Sequence, residues 1–96
     1  MSYRVGTVLL ELYFPHVRSL KEKRSILRSL IAKVRQAFNV SVAEVEHQDL
    51  WQRATIAVAV VSANLEETHK SLDAVLSFVE VNLSLGLVIN SQRELF

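Results

Sequence analysis

Apolar residues in this chain recur at two alternating periods, and the order of those periods leaves few folds open. From Val5 to Phe14 the set Val8, Leu10, Leu12 and Phe14 falls on every second residue, with Thr7, Glu11 and Tyr13 opposite. A period of two belongs to a strand with one buried face. Pro15 ends it, because proline has no N–H to give to a ladder. Ser19 and Glu22 then make an S-x-x-E capping box. Behind the box, Leu20, Leu27, Leu30, Ile31, Val34 and Phe38 form one helical stripe. The predicted helix runs from Leu20 to Phe38 and stops at Asn39, a residue that tolerates the left-handed conformation.

Val40 to Val45 and Gln52 to Ser62 return to strand-like, β-branched composition. The short His47-Gln48-Asp49-Leu50 connection makes the two an antiparallel hairpin. In the second of them Ile56, Val58 and Val60 share one face, and Arg53, Thr55, Ala57, Ala59 and Val61 the other. Asn64 caps a second helix with Glu66 and Glu67 in its first turn, where negative charge meets the positive end of the helix. Leu65, Leu72, Val75, Leu76 and Val79 are its buried stripe. A last strand runs from Leu85 to Asn90, after a turn at Gly86 or near Asn82. Strand, helix, strand, strand, helix, strand is the order of the ferredoxin-like α+β sandwich, a four-stranded antiparallel sheet with both helices on one face. A length of 96 residues, half of them hydrophobic, is read as one domain over 1–96 with a single core.

Charge is distributed far less evenly than the formal total of +1 implies. The segment from His16 to Phe38 holds Arg18, Lys21, Lys23, Arg24, Arg28, Lys33 and Arg35 against Glu22 alone. Lys21, Arg24, Arg28 and Arg35 fall within roughly a 60° arc at 100° per residue, and their backbones span about 21 Å. A cationic row of this length can track the phosphates of a nucleic acid or meet an acidic partner. Lys23 lies nearer the core side and is read as snorkelling. On the second helix Glu66, Asp73 and Glu80 make an acidic stripe at a spacing of seven residues, read as a solvent face.

Several chemistries find no support. The chain has no cysteine, so neither a thiolate nucleophile nor a cysteine zinc site can form. That composition fits a cytoplasmic protein. The longest apolar run, Ile56 to Val61, is too short to span a bilayer, and Met1-Ser2-Tyr3-Arg4 leads straight into strand pattern with no signal-peptide architecture. His16, His47 and His69 have no metal-ligand spacing, and no Gly-rich phosphate loop or nucleophile elbow occurs. We therefore expect no metal, no cofactor and no catalytic residues.

Two further regions are candidates for contact. His47, Asp49, Trp51 and Arg53 gather polar and aromatic groups in the hairpin, where either His47, Asp49 and Arg53 fix the turn by hydrogen bonds while Trp51 packs at a sheet edge or interface, or the group meets a partner. A catalytic His47–Asp49 pair is disfavoured by the absence of a nucleophile nearby. The sheet face away from the helices would present Val5, Thr7, Leu9, Tyr13, Thr55, Ala57, Ala59 and Val61, with little charge beyond Glu11 and Arg53. Leu9, Tyr13, Thr55, Ala57, Ala59 and Val61 are thus candidate self-association residues, because small apolar side chains suit close sheet packing. They lack the aromatics on which RNA-recognition sheets stack bases.

The segments SLKEKRSILRSLI (Ser19–Ile31) and FNVSVAEVEHQDLWQRATIAVAVVS (Phe38–Ser62), with the opening strand, resemble the YlxP-like family of small bacterial proteins, a domain of unknown function. HQDLWQRA (His47–Ala54) is the most specific part, and the likeness covers essentially the whole chain. The resemblance implies a ferredoxin-like fold and a bacterial cytosolic protein. It also implies genes beside those for translation initiation and ribosome maturation, but no catalytic residues. Two functions follow as expectations. One is a non-enzymatic homo-oligomer, a dimer or higher, that contacts RNA or the ribosome through its basic helix edge. The other is a homo-oligomeric interaction or regulatory module that binds an acidic protein or a small ligand between subunits.

Overall fold

Alternation along the first strand decides which side of the sheet is dry. In the computed structural model, which describes residues 2–96, the elements are β1 (Arg4–Tyr13), α1 (Leu20–Ala37), β2 (Ser41–Glu46), β3 (Arg53–Ser62), α2 (Leu65–Asn82) and β4 (Leu87–Leu95). Met1, where the leader-peptide reading begins, lies outside the described residues. Val8, Leu10 and Leu12 are fully buried, and antiparallel pairing sets Val8 against Val58 and Leu10 against Ile56. The sheet order is β2-β3-β1-β4 with every pairing antiparallel. Leu27, Leu30 and Val34 of α1 and Leu72, Val75 and Val79 of α2 enter one core with these strand residues. Both helices therefore cover the same face. The architecture is the ferredoxin-like α+β sandwich expected from the order of periods.

The helix ends show local chemistry at work. Ser19 Oγ accepts from the Glu22 N–H at 3.1 Å, while the Glu22 carboxylate reaches one residue further back, to the Arg18 N–H at 3.2 Å. At the other end Asn39 is not left-handed. Phe38 caps α1 in extended backbone (φ −137°), and its ring packs edge-on against Phe78 at 5.4 Å. That contact, with Val40 packed on the core, draws the chain directly into β2. Asn64 caps α2 as expected, its Oδ1 accepting from Glu67 N–H at 2.9 Å. Leu65 does not join the buried stripe and is 41% exposed. Thr68 takes the inward place, where its hydroxyl donates to the Asn64 carbonyl at 2.9 Å.

Thr68 also explains Gly6. A Cβ on Gly6 would lie 2.4 Å from Thr68 Cγ2, so the bare backbone is what lets α2 sit on β1. Gly86 serves a similar purpose beside the Phe14 ring, while the left-handed residue of that turn is Leu85 (φ 61°). β4 consequently starts at Leu87 and continues to Leu95, beyond the Leu85–Asn90 span expected. Its second half reads N-S-Q-R-E, which has no apolar alternation, and only pairing with β1 makes it a strand.

Candidate functional site

Lys23 stands between the basic helix and the hairpin, four residues before Leu27 and seven before Leu30 on the inner stripe of α1. It does not snorkel to solvent. Its side chain is fully buried, and Nζ donates to the carbonyls of His47 (2.8 Å), Arg53 (3.0 Å) and Gln48 (3.4 Å). The Glu44 carboxylate lies 3.5 Å away and makes no hydrogen bond through its buried oxygen. A buried ammonium is tolerated when its donors are satisfied and a counter-charge is near. Here the satisfying carbonyls come from both ends of one loop, so Lys23 ties α1 to the hairpin.

The loop needs that tie. His47 has left-handed backbone (φ 63°), a conformation that costs on the order of 1–3 kcal/mol unless its surroundings enforce it. Besides Lys23, the His47 carbonyl accepts from Leu50 N–H at 3.1 Å, and His47 Nδ1 shares a 2.8 Å hydrogen bond with Thr55 Oγ1. Gln52 Nε2 donates to the Pro15 and Val17 carbonyls at 3.1 and 3.4 Å, and Gln52 O accepts from Phe14 N–H at 2.9 Å. His47 thus fixes the turn, and Arg53 does so through its backbone carbonyl only. Asp49 and Trp51 remain exposed at the tip, beside a hollow of about 400 Å³.

Lys21, Arg24, Arg28 and Arg35 are all exposed. Among the described residues none of the four is in an ion pair. Arg24, Arg28 and Arg35 line one side of a groove of about 520 Å³ between α1 and the edge strand β2, with Leu27, Ile31 and Val42 at its base. Arg35 donates through Nη2 to the Val42 carbonyl at 2.8 Å, which pins the C-terminal end of the row to the edge strand. The acidic stripe of α2 is partly engaged within the chain: Asp73 pairs with Arg93, which also contacts His69 Nδ1 at 3.0 Å. Among the described residues no group of His, Asp and Glu side chains is arranged to hold a metal ion.

Register shapes the open face in a way composition alone could not. Thr7 stands between Ala59 and Glu94, Leu9 between Ala57 and Gln92, and Glu11 between Thr55 and Asn90. A bulge at Val45 brings Glu46 opposite Thr55. The face therefore carries Glu46 and Glu94 in addition to Glu11 and Arg53, with a hollow of about 250 Å³ between Glu11 and Glu46. Thr55 lies on this face but is only 3% exposed, and its hydroxyl is already bonded to His47. Leu9, Tyr13, Ala57 and Ala59 are half-buried, whereas Val61 and, next to Val5, Phe96 are well exposed.

Residues 5–91 match the model of a family described as a protein of unknown function, DUF503. The chain belongs to that family. Over 62 residues the chain is 44% identical to the uncharacterized protein YlxP of Bacillus subtilis (strain 168), a stretch that covers 65% of this chain and 67% of that protein. The fold is shared with the de novo designed protein Foldit4, at a TM-score of 0.54 and 10% identity over 97% of this chain and 96% of the other. A looser likeness, at a TM-score of 0.47 and 13% identity over 100% of this chain and 92% of the other, is to a variant of SnoaB, a cofactor-independent oxygenase from Streptomyces nogalater. Neither bears on what this chain binds. No helix among the described residues is long and apolar enough to cross a membrane.

Proposed function

We propose that this is a non-enzymatic polyanion-binding protein of the bacterial cytoplasm, and that its polyanion is RNA in or near the ribosome. The carrying observation is the row Lys21, Arg24, Arg28 and Arg35, exposed and free of ion pairs among the described residues, with its three arginines set along a groove that Glu44 also lines. Cations without carboxylate partners keep their full field for a ligand, and guanidinium groups match phosphate oxygens with two hydrogen bonds each. The ribosomal setting is supported by the gene neighbourhood that the family resemblance implies. The open sheet face, with its half-buried Leu9, Ala57 and Ala59 and exposed Val61, is where we place pairing with a second copy.

Retention on RNA as a function of salt tests this reading. Binding should be insensitive to base sequence and fall steeply with salt, the slope losing about one unit for each phosphate contact removed. Arg24→Glu with Arg28→Glu should abolish retention and leave the melting temperature nearly unchanged, since both side chains are at the surface. Equal retention of the double variant and the parent protein would remove the row, and an acidic protein would then be the partner to pursue.

A further inference from the structure

We propose that the hollow beside Trp51 receives one unstacked base of a single-stranded RNA whose phosphates run along Lys21, Arg24 and Arg28. This deepens the polyanion reading and rests on it. The hollow is an open depression of about 400 Å³ lined by Asp49, Leu50, Trp51, Gln52 and Arg53. Trp51 is 53% exposed, although its neighbours are held firmly. Lys23 binds carbonyls on both sides of it, the Gln52 side chain binds Pro15 and Val17, and Leu50 N–H closes on His47. The indole is thus presented on a loop whose ordering is already complete, so a ligand bears little of that cost.

The surrounding groups select the chemistry. An indole face stacks on any base. Arg53 lines the hollow with no carboxylate partner among the described residues, so its guanidinium is free to stack on a base or bind a phosphate. Asp49 is exposed on the same wall; its carboxylate accepts from the N–H groups that every base carries and repels phosphate. A nucleotide would therefore enter base first, with its phosphate turned towards α1. Lys23 lies in the first turns of α1 with Lys21 and Arg24, so the loop that carries the hollow is held against the N-terminal end of the helix that bears the cationic row. A purely aliphatic patch would fit a protein partner better; here charged groups flank an aromatic plane.

Trp51 is the single tryptophan of the chain, so its emission reports directly on the site. Titration with a short single-stranded uridylate or adenylate oligomer at low salt should quench that emission saturably. Trp51→Ala should weaken retention of the same oligomer by about five- to 150-fold, the effect of one base stacked on an aromatic ring, and leave the salt slope unchanged. Trp51→Phe should keep most of the affinity, and retention of duplex RNA should be the same in all three proteins. Unquenched emission with RNA retained, or full-strength retention by Trp51→Ala, would overturn the base site and leave the polyanion reading standing. Failure of the parent protein to retain any RNA would overturn both.

Discussion

Replacing Lys23 by methionine tests whether the buried ammonium is what joins α1 to the hairpin. Methionine keeps the unbranched stem and most of the volume, so the substitution removes charge and donors with little change in packing. Two bonds are short, to His47 O at 2.8 Å and Arg53 O at 3.0 Å, and the third, to Gln48 O, is 3.4 Å. Hydrogen bonds to a charged donor contribute about 1.5–3 kcal/mol each, and the His47 carbonyl keeps Leu50 N–H as a second partner. Glu44 would lose its counter-charge while its Oε2 stays buried without a hydrogen bond, the side chain being only 22% exposed. Together these terms give a loss of about 3–5 kcal/mol, in line with breaking a buried pair from one side. A domain of this size shifts its melting temperature by roughly 4–8 °C per kcal/mol, so thermal unfolding followed by circular dichroism should show a drop of about 12 °C or more. His47 would also lose one of the three contacts that hold its left-handed backbone, and Trp51 emission should move as the loop loosens. The double variant Lys23→Met, Glu44→Leu should recover part of the loss, because no unpaired charge remains. A Lys23→Met melt within a few degrees of the parent protein would refute this account.

Gly6→Ala should destabilise by about 1–3 kcal/mol, the usual effect of overpacking, because the new Cβ would lie 2.4 Å from Thr68 Cγ2; a chemical-denaturation midpoint equal to that of the parent chain would contradict the close approach of α2 to β1. For assembly, the parent protein should be a homodimer or higher by light scattering, and Ala57→Glu should yield monomers, since it sets a desolvated charge into a close apolar contact. A parent protein that is itself monomeric at micromolar concentration would rule out pairing through the sheet.

How far the sequence reaches can be judged residue by residue. The capping residues Ser19 and Asn64 act through backbone donors three residues away, so their effect was legible without any tertiary knowledge. The even-numbered apolar residues of β1, and Ile56, Val58 and Val60 of β3, declare their buried face by alternation alone. Leu65 misled because a helical stripe read from spacing cannot tell a first-turn residue beyond the edge of the sheet from one above it. Asn39 misled because its conformational tolerance was outweighed by the packing of Phe38 on Phe78 and of Val40 on the core. The polar half of β4 carried no periodic signal and became a strand through pairing with β1.

The candidate site divides the same way. The basic row Lys21, Arg24, Arg28 and Arg35 follows from helical geometry, which depends only on positions close in sequence. Lys23 was visible at a stripe position beside Leu27 and Leu30, yet what it would bind there was not, since its carbonyl partners lie 24 to 30 residues further along the chain. Glu46 and Glu94 joined the open face through a bulge and a strand register, both of which arise from pairing between distant segments. The sequence by itself therefore determined the order of the elements, the N-caps of both helices and the ferredoxin-like arrangement, because periodicity and N-capping are short-range effects. Only the tertiary structure decided the buried lysine, the acidic groups on the open sheet and the exposed Trp51 on its anchored loop, because each depends on which remote backbone atoms come to lie beside a given side chain.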